Sequence, residues 1–200
     1  LCAAWRAAKI GVDQNRRIAI YAAPDIDDPI FAEAARRAGA RLEPQRGDDL
    51  GARLRNAFEA EFERGARAVS AIGADSPTLP MHLLDEAFRA LIWERVVLGP
   101  TFDGGYWLVG AQRPAPDMFS DVPWSTPAVL PHTVNKLRTH GIEPHLLPFW
   151  YDVDEAADLE RLVWHARSVR ARAGARSSTT LPATWSALSR IGLVKETDQA

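Results

Sequence analysis

Short apolar runs alternate with longer amphipathic stretches along almost the whole chain, and this alternation limits the fold more than any other feature. Arg17 to Ala22 reads as a strand, and Ile30 to Ala38 as a helix stopped by Gly39. A short strand at Arg41 to Pro44 precedes a helix with Leu50, Leu54, Phe58 and Phe62 at four-residue spacing, which Asp48 or Asp49 can cap. The run ending at Asp75 is the next strand, followed by a helix whose apolar face is Leu83, Leu84, Ala87, Phe88 and Leu91. Val96 to Pro100 and Tyr106 to Gly110 are two strands around Asp103-Gly104-Gly105. A helix capped by Ser125 or Thr126 runs toward Gly141, bent or delayed by Pro131. Pro144 to Trp150 is the last strand, and Asp154 to about Val169 the last long helix. Such repetition predicts an α/β fold, a mostly parallel sheet with helices on both faces and one antiparallel insertion at Tyr106.

The 200 residues, 46% of them hydrophobic, suffice for one packed domain and not comfortably for two. We place that domain at residues 1–170, with a flexible tail at 171–200 holding one short helix between Trp185 and Val194. A net charge of −2 supplies no basic field, so nucleic acid is not the expected partner. Cys2 is the one cysteine, which excludes an intrachain disulfide and a cysteine-rich zinc site. No apolar stretch reaches the ~20 residues of a membrane span. The first residues, Leu1 to Lys9, look like the end of an amphipathic helix, too short and too charged for a signal-peptide core. Together these set a cytoplasmic location and a chain that starts in mid-fold as expectations.

The acidic residues are placed where chemistry is expected. Asp75 and Asp103 each follow the end of an apolar run, and Asp152 and Asp154 follow a third. In open α/β sheets ligands bind outside the C-terminal strand ends. Carboxylates gathered there suit a divalent metal held against phosphate oxygens. Each acid also has a plainer explanation. Asp75, just before Ser76-Pro77, suits a helix N-cap; Asp103-Gly104-Gly105 suits a hairpin turn; one acid at the start of the last helix is accounted for by capping. Asp152 and Asp154 project to the same side of an extended segment, and such a like-charged pair is costly without a cation or donor nearby. Gly104, Gly105 and Tyr106 combine bare backbone with an aromatic ring, as a sugar or base pocket requires, and Trp124, Ser125 and Thr126 suit the wall of the same pocket or the core. Gly47 to Arg53 opens a helix and matches neither common phosphate loop.

Taken in order, Gln45-x-Gly47-x-Asp49-Leu50-Gly51-x-Arg53, Gly73-x-Asp75-Ser76-Pro77-x-Leu79-Pro80, Leu98-Gly99-Pro100-x-x-Asp103-Gly104-Gly105-Tyr106-Trp107-Leu108, Trp124-Ser125-Thr126 and Asp152-Val153-Asp154 form a constellation. It resembles the small bacterial GT-A-like transferases of the nucleotide-diphospho-sugar transferase superfamily, described as radical-SAM/selenodomain-associated transferases or arsenosugar-biosynthesis glycosyltransferases. The resemblance spans roughly residues 17 to 165. It implies a three-layer α/β/α domain and a bacterial glycosyltransferase that takes a nucleotide-diphospho-sugar donor and a small-molecule acceptor. Mg²⁺ or Mn²⁺ would be held by Asp75 and Asp154, with Asp152 beside them. Asp103 is then a candidate base and Asp75 a second catalytic carboxylate. Gly104, Gly105, Tyr106, Trp124, Ser125 and Thr126 would line the substrate side, and Gly51, Arg53, Ser76 and Pro77 the nucleotide side. Proteins of this kind open with a strand and a phosphate-gripping loop, and the resemblance begins after them, so the expected sheet lacks its first strand. Two alternatives stay open: a guanylyl- or cytidylyltransferase-type nucleotidyltransferase releasing pyrophosphate from an NTP, and a non-catalytic binding module on the same fold.

Overall fold

A computed structural model describes residues 16–173 and 181–195. The run Leu1 to Lys9, residues 174–180 of the expected tail and residues 196–200 lie outside them. The described elements are β1 (Ala19–Ala22), α1 (Pro29–Ala38), β2 (Arg41–Pro44), α2 (Leu50–Glu63), β3 (Ala68–Ile72), α3 (Met81–Ala90), β4 (Val96–Pro100), β5 (Tyr106–Gln112), α4 (Val129–Thr139), β6 (His145–Leu146), α5 (Ala156–Ala173) and α6 (Pro182–Arg190).

The strands form two sheets among the described residues, a β1–β2 pair and a four-stranded sheet in the order β3-β5-β4-β6. β1 and β2 are parallel, as are β4 and β6, while β5 runs antiparallel to both β3 and β4. The expected antiparallel insertion is thus β5, which follows from its hairpin connection to β4. The single sheet expected from the alternation is divided in two, because no described strand pairs with the second edge of β1 or of β3.

The period-two pattern of β4 sorts its side chains to opposite faces. Val96 and Leu98 join Phe58 and Phe62 of α2 and Leu137 of α4 in one apolar cluster. Val97 joins Leu83, Leu84 and Ala87 of α3 in another. The four-stranded sheet is therefore a middle layer between helices. Gly99 serves this packing directly: a Cβ there would stand 2.3 Å from Cε2 of Trp107, a ring only 1% exposed. The Trp107 indole in turn donates to the Pro148 carbonyl at 3.2 Å, tying the core to the segment that leads to Asp152.

Element ends follow local chemistry. Asp49 caps α2 by accepting from the Ala52 N–H at 2.7 Å. The helix expected from Ser125 or Thr126 starts later, at Val129, because Ser125 has a left-handed φ of 61° that no helix accommodates. Pro131 falls in its first turn, where no intrahelical donor is needed. The last strand is shorter than the expected Pro144 to Trp150. Pro148 cannot donate to a ladder, so pairing stops after Leu146 and resumes as a parallel bridge between Thr101 and Trp150. Past Arg170, α5 continues to Ala173, and the short tail helix starts at Pro182, a favoured first-turn residue, and not at Trp185. Trp185 and Leu188 of α6 pack with Leu162 and Ala166 of α5 in a third cluster. Among the described residues no helix is long and apolar enough to cross a membrane.

Candidate functional site

The parallel strands β3 and β4 end on the same side of the sheet, and each continues into a loop with an acidic residue. Past β3, Asp75 does not cap α3. That helix starts at Met81 behind Pro80 with no side-chain cap, so the plainer explanation of Asp75 fails. Its backbone carbonyl accepts from the Val153 N–H at 3.0 Å, which joins the β3 loop to the segment bearing Asp152 and Asp154. Past β4, Asp103 does form a hairpin turn. Its Oδ1 accepts from the Gly105 N–H at 3.0 Å and from the Thr101 hydroxyl. The turn role uses one carboxylate oxygen and leaves the other for different work. Before α5, the capping role belongs to Asp158, whose Oδ2 accepts from the N–H groups of Asp154 and Glu155 at 3.3 and 3.1 Å. Asp154 is thereby released from helix capping.

These loops bring Asp103, Asp152 and Asp154 together. One oxygen from each lies within 4.8 Å of the others, the spacing at which three carboxylates can share a cation. Their electrostatics carry the mark of this crowding. Burial lifts the Asp152 carboxyl to about 6, and the charges of Asp103, Asp154 and Asp75 push the same way. Asp154 is raised by burial and then by Asp75, Asp103 and its own acidic neighbours. The strongest neighbouring charge differs between the two: Asp103 for Asp152, Asp75 for Asp154. Asp75 flanks the triad through its backbone carbonyl, which holds the Val153 N–H between Asp152 and Asp154. Hard oxygen donors, mutual repulsion and partial exposure fit a divalent metal such as Mg²⁺ or Mn²⁺. Next to Asp75, Ser76 is 1% exposed and its buried hydroxyl has no partner.

The remaining expected site residues divide into two groups. Gly104, Gly105, Tyr106, Trp124, Ser125 and Thr126 are brought together. A Cβ on Gly104, whose φ is 92°, would lie 2.2 Å from the Pro127 carbonyl oxygen, so the turn sits directly on the loop after Trp124. Only glycine meets both demands there. Gly104 also accepts from the Leu130 N–H at 2.8 Å, and Thr126 links Pro123 to Ala128 through its hydroxyl. Tyr106 meets Trp124 edge to face at 6.1 Å; its hydroxyl is buried, which raises its pKa above the usual tyrosine range. Gly51 and Arg53 are committed to local structure. Gly51 is buried, and a Cβ there would stand 2.4 Å from the Phe119 carbonyl oxygen and 2.5 Å from Nε1 of Trp124. The Arg53 Nε donates to the Gly47 carbonyl at 3.1 Å. Ser76 is buried, and Pro77 half-buried, in the loop after Asp75.

Sequence reasoning passed over two features of the site. Phe102 and Phe149 stack with centroids 5.5 Å apart, although they are 73% and 51% exposed. The signal for Phe102 was its place beside Asp103. Tyr151 and His165 meet at 2.7 Å, one residue before Asp152 and well into α5, and no local pattern joins them.

Comparison with known proteins bears on the fold and the family. A family profile described as "Uncharacterized protein conserved in bacteria (DUF2064)" matches residues 7–126. The chain is also similar to the crystal structure of a candidate nucleotide-diphospho-sugar transferase from Desulfovibrio desulfuricans G20. The two share 31% identity with a TM-score of 0.72, over 94% of this chain and 84% of that one. No curated protein matches the chain.

Proposed function

Because the chain belongs to the bacterial family DUF2064 and shares the fold of a candidate nucleotide-diphospho-sugar transferase, we propose that it is a metal-dependent glycosyltransferase acting on a nucleotide-diphospho-sugar. The observation that carries this reading is the convergence of Asp103, Asp152 and Asp154, with Asp75 beside them, past the C-terminal ends of parallel strands. A radical-SAM or arsenosugar context is not needed for it.

Asp152 and Asp154 would hold Mg²⁺ or Mn²⁺, with Asp103 completing the gathered oxygens and Asp75 on the adjoining loop as a further ligand. The bound ion would neutralise the donor diphosphate and the charge that develops as it leaves. The chain's own groups do the rest. Ser76 is buried and supports the loop beside Asp75 from within, and Pro77 would stiffen the same loop against the donor. Gly51 packs the start of α2 against Trp124 and Arg53 ties it to Gly47, which would set the nucleotide-side residues next to the substrate-side Trp124. Asp103 is held through Oδ1 and can receive the acceptor hydroxyl proton on its other oxygen. That acceptor oxygen bonds to the anomeric carbon of the sugar. The bond from that carbon to the diphosphate breaks, and the nucleoside diphosphate leaves with the electron pair. Gly104 packs the Asp103 turn onto the loop that follows Ser125 and Thr126, and Gly105 leaves room for the Asp103 carboxylate, so that these residues would shape the acceptor side.

The test is a thermal-shift panel of UDP-, GDP-, ADP- and CDP-sugars and the four NTPs, with and without Mn²⁺. A ligand at ~100 times its Kd adds about 2.7 kcal/mol of stability. Selective stabilisation by one sugar nucleotide that needs Mn²⁺ supports the proposal. Stabilisation by an NTP with pyrophosphate release would replace it by nucleotidyl transfer, and no shift by any of them would leave a binding module.

A further inference from the structure

The loops that carry the carboxylates also carry an apolar surface that the fold does not use. Thr101 and Trp150 are bridged in parallel, and the Trp150 N–H donates to the Pro100 carbonyl at 3.1 Å. This fixes the chain around Phe102 alongside the chain around Phe149. Their rings stack at 5.5 Å with planes 29° apart, and they remain 73% and 51% exposed. Neither ring belongs to any of the three apolar clusters. Two large apolar groups held in register in water mark a surface for a ligand, where a lone exposed Phe would not. Phe102 directly precedes Asp103, and Phe149 is three residues before Asp152.

The charge around this pair restricts what can lie on it. Oxygens of Asp103, Asp152 and Asp154 gather within 4.8 Å of one another, Asp75 is joined to the same segment through Val153, and one divalent cation neutralises only part of this charge. Arg161, the first arginine of α5, is paired with Asp158 at 2.8 Å. An anionic acceptor would therefore be repelled both by the acids and by the donor diphosphate. A cation would be favoured by the acids and by the ring faces.

We propose that Phe102 and Phe149 are the acceptor platform, and that the acceptor is a neutral or cationic alcohol with an apolar face and no phosphate. This rests on the transferase reading above and goes on to name the acceptor class. The hydroxyl approaches Asp103 while the apolar face covers the ring pair.

The experiment is saturation-transfer NMR on the whole chain with Mg²⁺, using benzyl alcohol, benzylamine and benzyl phosphate as matched probes. Benzyl alcohol and benzylamine receive saturation at their ring protons, and benzyl phosphate receives at least about 10-fold less. Phe102→Ala and Phe149→Ala each weaken the first two about 3- to 10-fold, the range of a good aromatic contact. Equal binding of benzyl phosphate, or unchanged binding by both variants, overturns the proposal. Mn²⁺ calorimetry on the same samples separates the two readings. If the wild type and both variants bind Mn²⁺ alike while the probes ignore the substitutions, only the acceptor platform fails. A wild type that binds no Mn²⁺ removes the transferase reading and the platform with it.

Discussion

The Tyr151 hydroxyl and Nδ1 of His165 lie 2.7 Å apart, and this contact joins the carboxylate segment to the middle of α5. Burial, and then the charge of Arg172, lower the His165 pKa, which favours the neutral ring. The same segment is held on its other side by the Trp150 indole, which donates to the Thr78 hydroxyl at 3.2 Å, and by the Val153 N–H on the Asp75 carbonyl. Asp152 and Asp154 are therefore aimed by neighbours that touch no substrate.

Tyr151→Phe removes that hydrogen bond and keeps the ring. We expect Mn²⁺ affinity to fall about 10-fold, as when an outer partner of a metal ligand is lost, with stability changing by only about 1 kcal/mol. His165→Asn, which keeps a polar partner, should recover part of the affinity, and His165→Phe should not. Isothermal calorimetry with MnCl₂ checks this, and an unchanged Kd in Tyr151→Phe would remove the positioning role.

Two carboxylates give opposite pH dependences. Asp152 has its folded pKa raised to about 6, above the ordinary 3.8, so its folding contribution is most favourable below 3.8 and is lost as pH rises through 6. Urea midpoints taken in EDTA should show this loss, Asp152→Asn should remove it, and Mn²⁺ should cancel it. Asp117 is the reverse. The Ser120 hydroxyl, with Lys136, holds it at about 2, so its stabilisation is full above 3.8 and is lost as pH falls toward 2. Asp117→Asn should flatten the acid limb alone, and an acid limb identical to wild type would show that the pair contributes nothing.

Asp103 has two roles that separate by substitution. Asn keeps an oxygen for Thr101 and Gly105 but loses the charge, whereas Ala loses both. Asp103→Asn should keep the wild-type Tm and lose turnover, with Mn²⁺ affinity down about 10-fold or more. Asp103→Ala should lose about 1–2 kcal/mol of stability as well. Equal turnover by Asp103→Asn and wild type would deny the residue any chemical part.

Gly99→Ala tests the packing behind the site. A methyl at Gly99 enters the space of the Trp107 ring, which cannot move without breaking its bond to Pro148. Overpacking of this kind costs about 1–3 kcal/mol, read as a lower urea midpoint. Because Trp107 supports the approach to Asp152, weaker Mn²⁺ binding should accompany it. A neutral effect on both would mean that the ring has room to shift.

Much of this was present in local sequence. Apolar period and glycine or proline stops located the strands and helices, because these depend on residues a few positions apart. The same stops located Asp75, Asp103, Asp152 and Asp154, since a polar residue right after a buried strand must emerge at the sheet edge. The Gly104 turn and the loop after Trp124, expected to share a pocket, are in contact through Pro127. Local rules misled where proline or a left-handed residue intervened, at β6 and at the start of α4.

Sequence by itself determined the element order, the α/β class and the candidate acids, all properties of neighbouring residues. Tertiary structure alone decided which acids converge, because Asp103 and Asp152 are neighbours only after β4 and the segment past β6 pair. It also separated capping from chemistry. Asp75 looked able to cap a helix and does not, whereas Asp158, never singled out in the sequence, accepts from the N–H groups at the start of α5, because the hydrogen bonds of a helix start depend on where that start falls in space. The stacked Phe102 and Phe149 and the Tyr151–His165 contact belong to the same category, since each joins residues from different segments whose meeting no local period encodes.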